Sequence, residues 1–312
     1  MVIALWLGPA GARDPATFTV VGLNGLTLAA LYFVVASGFT LIFGLMRVVN
    51  MAHGSLYLLG AYLALEMQKG GMSWALAVVA ASFAIAAIGV VMQQGFLRWN
   101  QGQDLRQAMI TIAVLIILAD QMLSNFGGTP QDLKTPSALD RGVDLKVYGL
   151  QYPFFRFFVL LVAVAIGLGL WLWIKRTRIG MLIRAGVDDR QMVSALGVNI
   201  QLVFAAAFFV GALLAGFGGT MGGTMIAVGA GQDASFLLNS LIVVIIGGMG
   251  SLGGAAVGAL ALGLVDSYAD VYLGEFAGAH LGEWTNYSTL LIFVLMVIVL
   301  AVRPQGLFGR PA

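Results

Sequence analysis

Several long stretches of this chain carry no charged residue, among them 15–46, 70–97, 157–174, 191–232, 234–265 and 284–302. A helix needs about 20 apolar residues to cross the hydrocarbon core of a bilayer. No water is present there, so each spanning backbone must satisfy its own hydrogen bonds, as a helix or within a closed barrel. The runs show no sustained period-two alternation, which argues against a barrel. Of the 312 residues, 60% are hydrophobic and only 10% charged, where a soluble domain carries about 25% charged residues. The chain therefore reads as an all-α polytopic integral membrane protein, one membrane-spanning unit over residues 1–312.

The apolar pattern predicts helices over 21–45, 54–68, 74–96, 108–126, 153–174, 201–225, 236–249, 252–272 and 285–302. The seventh and eighth read either as two helices or as one interrupted segment. Eight crossings are expected, or nine if a re-entrant or broken piece is counted. The opening "MVIALWLGPAGA" is faintly like a signal peptide, but it lacks a basic n-region and its apolar run is short. It reads as uncleaved.

Lys/Arg bias sets orientation. Arg47, the pair Arg98 and Arg106, the run Lys175, Arg176, Arg178, Arg184 and Arg190, and the tail with Arg303 and Arg310 all fall on one side. That side is expected to be cytoplasmic. The N-terminus is then outside and the C-terminus inside. Residues 127–152 and 266–284 become outer loops, the latter with Asp266, Asp270, Glu275 and Glu283. The scheme closes if 236–249 enters from the outer side and 252–272 returns to it.

Much chemistry is excluded. The net charge is +2 and the basic residues are confined to loops, so no nucleic-acid surface is expected. Without cysteine there is no disulfide, thiol chemistry or Cys-based metal site. The two histidines, His53 and His280, are far apart and no HExxH occurs, so no metal site and no catalytic residue is predicted. None of Lys69, Lys134, Lys146 and Lys175 follows a glycine, so there is no phosphate-binding loop. The chain binds no cofactor of its own. Active transport would draw on an ion gradient or on a partner.

Polar residues inside the spans are the candidates for a pathway, because such groups are costly in lipid and usually face the bundle interior or a wet cavity. Asp120 lies deep in "TIAVLIILADQMLSN", with Gln121 beside it. The spacings Asp120–Ser124 and Gln121–Asn125 are i, i+4. These residues line a path or hydrogen-bond a neighbouring helix, and Asn24, Asn239 and Ser240 carry the same two readings. Glu66 is expected to snorkel outward, and Asp233 reads as a turn or helix-start residue. In "RVVNMAHGSLYLLGAY", Asn50 suits a cap or turn. His53 either takes part in proton movement or braces the start of the second span at the cytoplasmic interface. The stretch reads as a tight reversal pinned by side-chain hydrogen bonds.

Glycine marks close packing. Gly211, Ala215, Gly219 and Gly223 recur every four residues, as do Gly250, Gly254 and Gly258. Small residues at this interval let helix backbones approach closely in lipid. "GGMGSLGG" formally matches G-x-G-x-x-G, but membrane helices flank it rather than a βαβ unit, so a dinucleotide site is rejected. A break in a discontinuous helix is expected there instead. In "IGMLIRAGVDDRQMVSALGVN", Asp188 and Asp189 suit a helix start, Met192, Val193, Leu196 and Val198 form an apolar surface, and Gly197 suits a helix end. The segment lies on lipid headgroups or docks a cytoplasmic subunit.

Four stretches carry a family resemblance. "GLTLAALYFVVASGFTLIFGLMRVVNMAHGSLYLLGAY", "RTRIGMLIRAGVDDRQMVSALGVN", "IIGGMGSLGGAAVGALALGLVD" and "RPQGLFG" follow one another in the order seen in branched-chain amino acid (Liv-type) ABC transporter permeases. The chain is similar to the shorter of the two permeases in that system. The resemblance implies a non-enzymatic permease subunit of an ATP-driven importer in the bacterial inner membrane. It implies four kinds of partner: a second homologous permease, two cytoplasmic ATPases that use ATP and Mg2+, a periplasmic substrate-binding protein, and membrane lipid. The coupling loop would be 175–200, with Arg184, Ala185, Asp188, Asp189, Arg190, Met192, Ala195, Leu196 and Gly197 at the ATPase contact. Asp120 is an acid where the family leads one to expect a neutral polar residue. The competing class is a gradient-driven carrier or channel that uses Asp120.

Overall fold

The computed structural model describes residues 15–46, 49–145, 150–280 and 288–309. The leader-like start, Arg47, Lys146, Glu283 and Arg310 lie outside the described residues. The helices are α1 (Pro15–Met46), α2 (His53–Lys69), α3 (Trp74–Met92), α4 (Asp104–Phe126), α5 (Phe154–Arg176), α6 (Arg178–Asp188), α7 (Arg190–Ala195), α8 (Ile200–Met225), α9 (Gln232–Gly247), α10 (Leu252–His280) and α11 (Ser288–Val302). A π-helical turn (Gln93–Leu97) and a 3-10 turn (Arg98–Asn100) extend α3. Six helical segments among the described residues are long and apolar enough to cross a membrane, and α9 and α11 are shorter apolar helices. The protein is an all-α polytopic membrane protein.

Helix α1 is the spine. It carries no charge and buries most of its side chains, from Val21 to Met46. Helix α8 packs on it, and small residues decide how closely. A Cβ on Gly38 would lie 2.5 Å from the Gly211 carbonyl oxygen, and one on Gly211 would lie 2.7 Å from Ile42. On the same helix, Gly219 abuts the Tyr57 backbone and Gly223 abuts Val228, Leu133 and Ala61. Gly254 and Gly258 on α10 face Gly247 and the Val243 carbonyl of α9. Gly250 is no part of that ridge: it has φ +82° and precedes α10.

Two helices begin inside the protein rather than at its surface. The His53 Nε2 atom lies 3.0 Å from the Val35 carbonyl oxygen, and Val35 precedes the end of α1 by eleven residues, about 16 Å at 1.5 Å per residue. The start of α2 therefore lies well back along α1, not beside its end. His53, expected at the interface, is wholly buried, with 0% of its surface exposed. A tight reversal at the helix ends does not occur, because α2 begins only after the chain has climbed back inside the bundle. Likewise, α8 ends at Met225 and the chain turns back, so that Asp233 at the start of α9 lies against Gly54 at the start of α2.

The glycine-rich run near 250, expected to break a helix, forms a hairpin turn instead. Helices α9 and α10 are antiparallel, since Gly247 meets Gly254 and Val243 meets Gly258. The turn between them lies beside Gly44, near the basic end of α1. The α9 carbonyls that end there are not left bare. Leu307 N–H donates to the Ile246 oxygen at 2.8 Å and Phe308 N–H to the Gly247 oxygen at 2.9 Å. Gly306, at φ +78°, lets the tail approach Gly248. The "RPQGLFG" tail thereby caps the end of α9.

Three further expectations change. Residues 266–280, expected within a loop, continue α10, and no proline interrupts them. The amphipathic segment after α5 is two helices, split where Asp189 leaves helical geometry at ψ 103°. The 127–152 connection carries an antiparallel hairpin, β1 (Gly142–Leu145) with β2 (Leu150–Pro153). Glu66 pairs with Lys69 at 2.7 Å near the end of α2.

The tail contact is testable. Phe308→Pro removes a donor from a buried carbonyl, which costs roughly 1–3 kcal/mol. We expect the thermal unfolding midpoint of the detergent-solubilised protein to fall, with little change for Phe308→Ala, which trims an exposed ring and keeps the N–H.

Candidate translocation site

The helix starts at His53 and Gln232 are brought together by small and aromatic residues. A Cβ on Gly54 would overlap the Asp233 carbonyl and lie 2.8 Å from the Leu237 Cβ. Just beyond, Tyr57 stacks on Phe236 with ring centroids 4.0 Å apart, and Tyr32 meets Phe236 edge-on. The Asn50 oxygen accepts from Ala52 N–H at 3.2 Å, and Thr111 accepts from Met51 N–H at 3.2 Å, which ties the approach to α2 against α4. Three buried polar atoms at this start have no partner among the described residues: Asn50 Nδ2, His53 Nδ1 and Ser55 Oγ.

Residues 226–231 are held from the other side. Val228 and Gln131 form a bridge with N–H to O distances of 2.7 and 2.9 Å. Gly231, at φ +89°, then turns the chain into α9. Beside this turn is a cleft of about 410 Å³. Its apolar wall includes Leu58, Leu115, Ile116, Met122 and Leu123, and its polar groups include Asp120, Tyr62 and Asp233. Neither carboxylate accepts a hydrogen bond from a described residue. Asp233 is buried and lies in the first turn of α9, where the helix dipole favours an anion.

The depth of the cleft decides what it faces. Leu58 and Tyr62 precede the end of α2 by eleven and seven residues, about 16 and 10 Å. Yet Ala230, Gly231, Ala234 and Ser235 are exposed. Lipid-exposed irregular backbone does not occur at membrane depth, where it is tolerated only against protein or a water-filled cavity. This face of the chain therefore meets one or the other.

The residues singled out from sequence fall in separate places. Asp120 lines the cleft. Gln121 and Asn125 are exposed on α4, and Asn125 donates to the Gln121 backbone oxygen at 2.7 Å rather than to its side chain. Asn50 and His53 are at the start of α2. Asn239 donates to Tyr32 Oη at 2.9 Å, and Tyr32 donates to Asp266 at 2.8 Å, a chain linking α9, α1 and α10. Ser240 is buried, and its hydroxyl has no partner among the described residues. Asn24 accepts from Arg156 of α5, remote from the cleft. Sequence reasoning missed Tyr62 and Asp233 in the cleft and Tyr32 and Asp266 in the chain. Asp266 and Asp270, four apart, offered a helical signal that the neighbouring acids masked.

At the basic end, α6 and α7 form a layer beneath the bundle. Thr177 caps α6 by accepting from Gly180 N–H at 3.1 Å, and Asp189 caps α7 by accepting from Met192 N–H at 2.9 Å. Ile183 and Val193 are buried, whereas Met192 and Leu196 are 59% and 75% exposed. The backbone places Arg184 and Ala185 in α6 and Ala195 at the end of α7; the side chains of Asp188 and Arg190 lie outside the described set. Gly197 follows at φ +81°. A Cβ on Gly186 would lie 3.2 Å from Leu45 of α1 and 3.4 Å from Ile200 of α8, so α6 touches both helices at their basic ends.

Residues 22–300 match the family described as the permease component of branched-chain amino acid transport systems. The chain is 28% identical over 305 residues to the high-affinity branched-chain amino acid transport system permease protein LivH of Salmonella typhimurium, covering 92% of this chain and 94% of that protein. It is 26% identical over 303 residues to the corresponding permease protein BraD of Pseudomonas aeruginosa, covering 93% and 95%. It is 25% identical over 305 residues to the permease protein LivM of Escherichia coli, covering 90% of this chain and 68% of that protein. No solved structure matches it.

Because the chain has no cysteine, single cysteines report cleanly on exposure. In proteoliposomes, Ser235→Cys should react with a charged methanethiosulfonate reagent, while Leu168→Cys on the apolar face of α5 should stay unmodified.

Proposed function

The chain belongs to the family of branched-chain amino acid transport permease components, and from that membership we propose that it is the shorter permease subunit of an ATP-driven importer in a bacterial inner membrane. A second homologous permease covers the polar face of α4 and α9. Two ATPases that consume ATP and Mg2+ dock on the cytoplasmic loops of the two permeases, in this chain beneath α6 and α7, and a binding protein delivers substrate at the opposite end. The basic end is cytoplasmic and the N-terminus is outside.

The single observation that carries this reading is the way the basic layer is mounted. Gly186 of α6 rests on Leu45 at the end of α1 and on Ile200 at the start of α8. Helix α1 precedes the buried start of α2, and α8 leads through 226–231 to the buried start of α9. A push on α6 is thereby delivered to both helices whose onward connections lead to the buried starts of α2 and α9. Met192 and Leu196 give an ATPase an exposed apolar contact, and Gly197 fixes the turn behind it.

The cleft suits a small zwitterion with an apolar side chain. Asp120 and Asp233 would take the ammonium group, and Leu58, Leu115 and Ile116 would take the hydrocarbon. A branched-chain amino acid has this chemistry, and the relatives carry that substrate in their names.

The test is reconstitution of the chain with its partner subunits in liposomes. Leu196→Asp should abolish ATP-driven uptake while leaving membrane insertion and the unfolding midpoint unchanged. Gly197→Val, forced away from φ +81°, should act in the same direction. Full uptake by these variants, or uptake driven by an ion gradient without ATP, would sink the importer reading. Asp120→Asn combined with Asp233→Asn should raise the half-saturating substrate concentration by roughly tenfold or more, the loss expected for hydrogen bonds to a charge.

A further inference from the structure

A second cavity, apart from the cleft, is a groove of about 560 Å³ between α1, α5 and α10. Its lining is apolar throughout, and small residues such as Ala29, Ala163, Gly253 and Ala256 form much of it. One wall is open to the surroundings: Val164, Leu168 and Trp171 are 59%, 59% and 49% exposed.

Its length and its end point to an occupant. The groove follows α5 from Leu160 to Trp171, eleven residues or about 16 Å. Half of a hydrocarbon core of about 30 Å is about 15 Å, so the groove spans one leaflet. At its basic end Trp171 forms part of the lining, and the Lys175 ammonium sits 4.6 Å from the centroid of that ring. Lys175, Arg176 and Arg178 are exposed there, and no carboxylate among the described residues pairs with them. Trp and Lys at the end of a span are where a bilayer presents its headgroups. An apolar slot of one-leaflet length that ends in unpaired cations is complementary to a molecule with a hydrocarbon chain and an anionic head.

We propose that this groove is a binding site for an anionic phospholipid of the leaflet at the basic end. One acyl chain lies along α5 over Gly253 and Ala256, and the phosphate meets Lys175 at Trp171. The site touches α1 between Leu26 and Phe33 and the first turns of α10 but not the cleft, so a lipid bound there braces α1 well before Leu45, on which α6 rests.

The experiment uses the full chain in vesicles of phosphatidylethanolamine and phosphatidylglycerol, doped with phosphatidylglycerol or phosphatidylcholine that carries an acyl diazirine. After irradiation, labelled peptides are mapped by mass spectrometry. The phosphatidylglycerol probe should label 160–171 and 252–260 in preference to the phosphatidylcholine probe. Gly253→Leu fills open space, since a Cβ there meets nothing within 4 Å, and it should remove the label while the unfolding midpoint is kept. Lys175→Gln should lower the preference for phosphatidylglycerol about fivefold, the effect of one cation near an anionic surface. Equal labelling by both probes, or label unchanged in Gly253→Leu, would overturn the site. Cross-links from 160–171 to a second protein chain in place of lipid would also overturn it and assign the groove to a partner helix.

Discussion

A backbone inside a bilayer must find its hydrogen bonds within the protein, and the rest of this structure follows from how two interior helix starts and the end of α9 meet that demand. The start of α2 uses Asn50 and Thr111 as acceptors for the amides of Ala52 and Met51. The start of α9 is approached through Val228, which bridges to Gln131 outside the bundle. The end of α9 is capped by the amides of Leu307 and Phe308 from the tail. The Thr111, Gln131 and tail contacts each draw on a segment distant in sequence. These helix ends are therefore stable only in the folded bundle, and they couple distant parts of the chain.

Close packing supplies the other half. Without a hydrophobic driving force between helices in lipid, association rests on contact and on the few polar links. The Gly38–Gly211 approach brings α1 and α8 nearly backbone to backbone. The Tyr57–Phe236 stack then fixes how the two interior-starting helices lie side by side. The Asn239–Tyr32–Asp266 chain adds a polar link across α9, α1 and α10. Such a bundle has little room for gradual deformation, and displacement of α1 or α8 must reach the helix starts they lead to.

Much of this was legible in the sequence, and the failures share a cause. The apolar pattern located the spanning helices closely, because hydrophobicity over a span is a local property. Asp189 as a cap and Gly197 at positive φ followed from local chemistry as well. What could not be read was depth. His53 and Asn50 look interfacial beside Arg47, yet His53 sits far up α1, against Val35. Nothing in "RVVNMAHG" states how far the chain travels before its helix begins. The same ambiguity hid the role of Asp233, which reads as a helix-start residue whether that start is at the surface or at mid-membrane. Asp266 was lost among neighbouring acids, and only its contact with Tyr32 distinguishes it from them. The tail had no local signal either, since its donors matter only because α9 ends beside them.

The exposed surfaces at membrane depth are of two kinds, and their polarity sorts their neighbours. Along α5 the exposed residues include Leu161, Val164, Leu168 and Leu172, side chains that lipid tolerates. Across α4 and the start of α9 they include Asp120, Gln121, Asn125 and Ser235, which hydrocarbon does not. A single chain that showed both faces to lipid would carry the cost of the second, so the polar face requires protein or water against it. Helix α1 borders the apolar groove and also contacts the buried start of α2. It lines the apolar groove through Ala29 and Phe33, and through the Val35 carbonyl it meets His53 at the start of α2. The helix on which α6 rests at Leu45 thus also borders the apolar groove at Ala29 and Phe33.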